Sequence, residues 1–269
     1  MGVERRIQPT DRHVEAANLL YAALQRHIAR LARRHQRHED RCMARILVIN
    51  PNSSVACSAG IDAAIARFRL PGAPTLDVAT LREGPSAIYT WQHWHAVVGP
   101  TCALIEHEVA DAYVIACASD PGIEAARTVT TRPVLGIFRS AVATAVARAE
   151  RFGVIAMVDS SRARHEAALR AMGLDARLAG EVALNLPMET LLDPLAARTA
   201  LVRAAETLRT MGAQTLILGC TGMAHHRAAV QEAAGVPVIE PTQATVALAI
   251  GILMADADGV PTADRSSMP

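Results

Sequence analysis

Lysine is missing altogether, so all 27 Lys+Arg positions are arginine. Schiff-base catalysis by a lysine and phosphate cradling by a lysine are thereby excluded. Aromatic residues are scarce at 3%, and the 51% hydrophobic fraction rests on Ala, Val, Leu and Ile. That composition suits helices packed on parallel strands buried on both faces. Charge of neither sign dominates: the net value of +1 leaves no concentrated basic surface for nucleic acid or an anionic membrane. A small-molecule substrate is the expected partner. The five cysteines, Cys42, Cys57, Cys102, Cys117 and Cys220, are odd in number and lack C-x-x-C spacing. They argue against a disulfide framework or a zinc ribbon and for a reducing compartment. There is no charge-free apolar run of about 18 residues and no signal-peptide pattern, so neither a membrane span nor secretion is expected and a cytoplasmic location is.

Residues 1–42 differ from the rest. They are rich in Arg and His, and Leu20, Leu24, Ile28 and Leu31 recur at helical spacing, which reads as an N-terminal helical extension. An over-long gene start is the simplest expectation for this segment and a partner-binding helix the second. The fold is expected to begin at Met43, where MARILVIN opens a buried strand.

From Arg45 onward the chain repeats itself weakly. RILVINPNSS at 45 matches RFGVIAMVDSS at 151, an offset of 106; Leu76-Asp77 matches Leu174-Asp175, an offset of 98. YVIACAS around Cys117 matches TLILGCTG around Cys220, offset 103, and RPVLGI at Pro133 matches VPVIEP at Pro237, offset 104. Each half reads as four short apolar strands separated by Ala-rich helical stretches, a pattern that favours a parallel sheet with right-handed crossovers. The expected architecture is α/β: two pseudo-symmetric lobes, the first over 43–139 and completed by 240–258, the second over 140–239, with a flexible tail over 259–269.

Ligands of open parallel sheets bind beyond the carboxyl ends of the strands, and Cys117 and Cys220 both fall at such ends. If the lobes face each other, the two thiols approach one cleft from opposite sides. Inverting a carbon requires a base on one face and an acid on the other, and two opposed cysteines supply both. A helix N-terminus lowers a thiol's pKa, and the short small-residue loops ASDPG and TGMAHH let backbone amides converge on a developing enolate oxygen. A buried cysteine taken singly is more often core than catalyst; the symmetric placement reverses that weighting. Cys42, Cys57 and Cys102 have no such partners.

Together, ILVINPNSS, ACASDPG, PVLGI, LILGCTGMA and PVIEPTQA resemble the aspartate/glutamate/hydantoin racemase superfamily, closest to hydantoin and allantoin racemases, over residues 45 to about 255. The resemblance implies two flavodoxin-like lobes with an interlobe site, no metal or organic cofactor, a homo-oligomer, and Cys117 and Cys220 as acid and base. It implies that Asn50, Pro51, Asn52 and Ser53 line the cleft floor. Ala118 and Ser119 after Cys117, with Thr221 and Gly222 after Cys220, would cradle the carbonyl oxygen. Asn52 and Ser53 are equally suited to a helix cap.

Departures from the family pattern bear on substrate. Ala118-Ser119 replace a Phe-Gly usual in hydantoin members, Tyr89 stands where a Glu is usual, and Phe138-Arg139-Ser140 stands where another Glu is expected. An arginine at a pocket mouth would favour an anionic substrate; an ordinary solvent-facing helix residue is the alternative. The ACNTA pattern of amino-acid racemases is missing, which places an aspartate/glutamate-type racemase second. An arylmalonate-type decarboxylase would resemble a version keeping only the second cysteine, and a non-catalytic two-lobed binding protein is the remaining alternative. His93 and His95 point apart on a helix, so surface aromatic packing is expected rather than metal binding. His225 and His226 lie a turn beyond Cys220, where one could assist proton traffic, and a solvated helix face explains them as well.

Overall fold

The computed structural model describes residues 44–193 and 195–256; the expected helix over 1–42 and tail over 259–269 lie outside the described residues. The first half runs β1 (Arg45–Asn50), α1 (Val55–Ile65), β2 (Thr75–Thr80), α2 (Trp91–Ala96), α3 (Val98–His107), β3 (Ala112–Ile115), α4 (Ile123–Ala126), β4 (Val134–Gly136) and α5 (Ile137–Val146). The second runs β5 (Phe152–Ala156), α6 (Arg162–Met172), β6 (Leu178–Ala183), α7 (Met188–Leu192), α8 (Arg198–Thr210), β7 (Thr215–Gly219), α9 (Arg227–Ala234), β8 (Val238–Ile239) and α10 (Pro241–Asp256).

Strands and helices alternate because runs of four to six apolar residues, too short for a stable helix, are separated by Ala-rich stretches of good helix formers. The result is two four-stranded sheets, β2-β1-β3-β4 and β6-β5-β7-β8, with every pairing parallel. The α/β architecture with two equivalent sheets is as the sequence suggests. Corresponding strands begin at 45 and 152, 75 and 178, 112 and 215, and 134 and 238, so the repeat recurs every 103 to 107 residues. One landmark pairing needs correction. Leu174-Asp175 is not the counterpart of Leu76-Asp77: Leu174 and Asp175 lie at a short 3₁₀ turn over Asp175–Arg177, and β6 starts at Leu178. Both segments carry a Leu-Asp pair, and local letters misled where strand register decides.

The central strands β1, β3, β5 and β7 are buried almost throughout, whereas the outer β2 and β6 are half-exposed. A strand flanked by strands and covered on both faces tolerates only apolar side chains. Over the first sheet, Ile61 and Ile65 of α1 and Val246 and Ala249 of α10 close on Ile46, Val48 and Val114. The chain thus returns to its first sheet at the end. Between the sheets, Phe138, Ala141 and Val142 of α5 pack on Phe152, Val154 and Ile217, and Cys57 and Ala87 of the first half join the core of the second. Phe138 and Phe152 are both fully buried, each contributing on the order of 2–3 kcal/mol by transfer from water. This shared core holds the two sets of strand ends beside one another.

Candidate active site

Cys117 and Cys220 each lie five residues after the first residue of their strand, β3 and β7, so the repeat puts them in equivalent loops at the carboxyl ends of central strands. Gly219, just before Cys220, is required there: a Cβ would stand 2.7 Å from the Ile155 carbonyl oxygen, so only glycine lets β7 pass so close to β5 at this point. The structure brings both cysteines to one cavity of about 40 Å³. Asn52, Ile88, Ala118 and Ser119 of the first half line it too. Thr221 and the β5–α6 region, through Met157, Ser161, Arg164 and His165, complete it from the second.

The loop after β1 is built on asparagine amides. Asn50, fully buried, donates to Asn52 Oδ1 (3.0 Å) and Ser58 Oγ (3.0 Å). Asn52 Oδ1 in turn accepts from the Ser54 amide at 2.9 Å. Asn52 therefore faces the cavity while Asn50 holds the loop that presents it. Pro51 and Ser53 do not line the cavity: Pro51 packs against Gly84, and the Ser53 amide donates to the Pro85 carbonyl at 3.0 Å. The helix cap falls to Ser54, whose hydroxyl accepts from the Cys57 amide at 3.2 Å, rather than to Asn52 or Ser53. Gly222 lies behind Cys220 and contributes its backbone amide to the sulfur.

Burial sets the electrostatics. It pushes the Cys117 thiol up and the Asp120 charge adds to this, while the Ser119 hydroxyl, 3.5 Å from the sulfur, with the Ser119 amide and the Arg164 charge, pulls it partly back. Cys220, packed 3.8 Å from the Met157 sulfur, is pushed up to about 12 by burial, against which the Gly222 amide works alone. Cys117 thus has three groups that favour its thiolate, the Ser119 hydroxyl and amide and the Arg164 charge, where Cys220 has one amide.

The Cys117 loop is anchored by Asp120, in the left-handed region at φ 47°. Its amide donates to the Cys117 carbonyl at 2.9 Å. Its buried carboxylate accepts from the amides of Phe138 (2.8 Å) and Arg139 (2.9 Å) at the start of α5. Burial raises this carboxyl, with those amides and the Arg139 guanidinium opposing. In the second half Glu240 caps α10 locally, accepting from the Thr242 and Gln243 amides two and three residues on.

Arg139 does not line the cysteine cavity, and it is not an ordinary solvent-facing residue either. It pairs with Asp120 (3.3 Å) and Glu124 (2.5 Å) and is spent on the anchor. Tyr89 enters through its backbone, its carbonyl accepting from Ser160 and Arg164. His95 packs on the rings of Trp91 and Trp94, the expected aromatic arrangement. The solvated-face reading fails for His226, which is buried and contacts the Leu191 carbonyl at 3.1 Å, while His225 is exposed. Burial pushes both imidazoles down.

Sequence reasoning missed Ile88, Met157, Ser161, Arg164 and His165. A signal for the last four was present: pairing RILVINPNSS with RFGVIAMVDSS aligns the loop after β5 with the loop after β1, so residues beyond Ala156 were due at the same cleft.

The family model described as Asp/Glu/Hydantoin racemase matches residues 46–249. A hydantoin racemase of Paenarthrobacter aurescens is 32% identical, covering 76% of this chain and 89% of its own length. One from Pseudomonas sp. (strain NS671) is 32% identical, over 76% of this chain and 84% of its own. Among solved structures, allantoin racemase from Klebsiella pneumoniae superposes with a TM-score of 0.72 at 28% identity, covering 79% of this chain and 88% of that one. With the paired sheets and a shared cavity at their strand ends, these matches establish that the chain belongs to the Asp/Glu/hydantoin racemase family of isomerases.

Proposed function

We propose that the protein racemises or epimerises a carbon α to a carbonyl, that Cys117 and Cys220 are its acid and base without any cofactor, and that the substrate is a 5-substituted hydantoin or allantoin. The observation that carries this reading is the placement of two repeat-equivalent thiols, each just past the end of its strand, on one small cavity. In one direction the Cys117 thiolate removes the proton, and the C–H electron pair moves into the adjacent carbonyl as an enolate. The Cys220 thiol then delivers a proton to the opposite face and is left as thiolate; in the other direction the roles exchange. The amides after each cysteine, with Asn52 and Thr221, are the donors available to the enolate oxygen. The family membership and the hydantoin and allantoin racemases among its relatives support the substrate class.

The test is incubation of single-enantiomer 5-substituted hydantoins and allantoin with chelator present, followed by optical rotation. Wild type should drive rotation to zero or to an epimeric equilibrium, and Cys117→Ala and Cys220→Ala should each lose that activity while keeping the native circular dichroism. Full turnover by either variant refutes the two-base scheme. Carbon dioxide release from a disubstituted malonate by Cys117→Ala would instead assign a decarboxylase.

A further inference from the structure

The wall contributed by the second half carries a buried charge whose hydrogen-bonding capacity the described residues leave largely unfilled. Arg164 lines the cysteine cavity with only 3% of its surface exposed. Its Nη2 makes two long contacts, 3.3 Å to the Tyr89 carbonyl and 3.5 Å to Ser161 Oγ. Its Nε and Nη1 are buried and have no acceptor among the described residues. The Trp91 ring lies over the guanidinium at 5.7 Å, which favours a cation without neutralising it. The buried Glu181 contacts His165 through Oε2 at 3.0 Å; its Oε1 is buried without a hydrogen-bond partner among the described residues, and it acts on Arg164 through its charge without a hydrogen bond to the guanidinium. No ion pair to Arg164 is formed among the described residues.

A buried guanidinium remains charged, since arginine does not give up its proton in proteins. Leaving such a charge and two donors unpaired in a buried wall is costly, and pairing them with an anion removes that cost. Cys117 is one nearby candidate, but as thiolate it is a single soft acceptor whose hydrogen-bond contact is Ser119, and it loses its charge in every turnover. A carboxylate offers two hard oxygens and stays ionised throughout.

We infer that Arg164 is a substrate-binding residue for a carboxylate, and that the preferred substrate therefore carries a carboxylate on its 5-substituent rather than a neutral side chain. This rests on the racemase reading of the same cavity. It moves the anion preference from Arg139, which is consumed by Asp120 and Glu124, to an arginine that is not.

The experiment compares isosteric substrates that differ only in charge: 5-(carboxymethyl)hydantoin and 5-(2-carboxyethyl)hydantoin against their carboxamides. Wild type should favour the better-fitting carboxylate over its amide by at least tenfold in kcat/KM, carried by KM. Arg164→Met should collapse that ratio toward unity, and Arg164→Lys should restore part of it. Equal use of acid and amide by wild type overturns the inference. So does an Arg164→Met variant that slows both alike while raising the pH of the acid limb, which would make Arg164 a partner of Cys117 alone. Calorimetric binding of the same pairs to wild type reads the preference even if the variant does not fold. If no hydantoin is racemised yet the carboxylate binds at least tenfold tighter than its amide, the racemase reading fails and the arginine site stands; if racemisation proceeds without preference, the reverse holds.

Discussion

Replacing Asp120 with alanine removes one carboxylate that accepts from two helix amides and from the Arg139 guanidinium. Helix-capping amides and a buried charge partner are lost together, a change that costs about 3–5 kcal/mol when one side of a buried network is deleted. Arg139 keeps Glu124, so the lower end, about 3 kcal/mol, is expected. Gly136→Ala attacks the same carboxylate from the other side: its Cβ would stand 2.2 Å from Asp120 Cγ. The backbone there, at φ −97° and ψ 139°, accommodates alanine, so the whole penalty, about 1–3 kcal/mol for overpacking, comes from that contact. The two changes must therefore couple. Once Asp120 is alanine, the clash has no partner, and Gly136→Ala should become nearly neutral, an interaction energy of about 1–3 kcal/mol. Urea unfolding of the four proteins, with m-values unchanged, measures the cycle. Strict additivity would refute the idea that Gly136 exists to admit the carboxylate. Because the carboxylate holds in place the residue whose backbone amide meets the Cys117 carbonyl, the Asp120 variant should lose activity beyond its lost stability.

Other outcomes follow from the thiols. Ser119→Ala removes the hydroxyl that favours the Cys117 thiolate. The acid limb of kcat/KM, already above the ordinary thiol range, should move to higher pH, with activity at neutral pH falling about tenfold for one hydrogen bond to a charged sulfur; an unmoved limb contradicts this. Cys220, pushed up to about 12, holds its proton in the folded protein after an unfolded thiol has lost it. Its contribution to stability is thus complete below the ordinary thiol pKa, near 8.5, and lost as pH rises toward the folded value. Denaturant titrations across that window should show falling stability, and Cys220→Ser should flatten part of the fall.

Legibility in the sequence followed the physics of each signal. Buried parallel strands leave apolar runs that any reading of RILVIN or TLILG finds, and the duplication turned those runs into two sheets of the observed kind. The thiols were legible because they end equivalent strands. Leu174-Asp175 misled because letters do not encode register, and β6 lies four residues on. Arg139 could not be resolved from Arg164 because both lie near the start of a helix after a strand; only the fold shows that Asp120 captures one and leaves the other facing the cysteines. The cap assignment slipped by one or two residues, to Ser54, because the Asn50–Asn52 amide contact closes the loop before the helix begins.

The opposed-thiol scheme is tested most directly by racemising one enantiomer in heavy water and reading both enantiomers at low conversion. Two separate acids and bases predict deuterium in nearly all of the inverted product while the remaining starting enantiomer stays protonated. Deuterium accumulating in the starting enantiomer ahead of inversion, or substrate hydrogen carried intact into the product, would mean that a single group handles both faces.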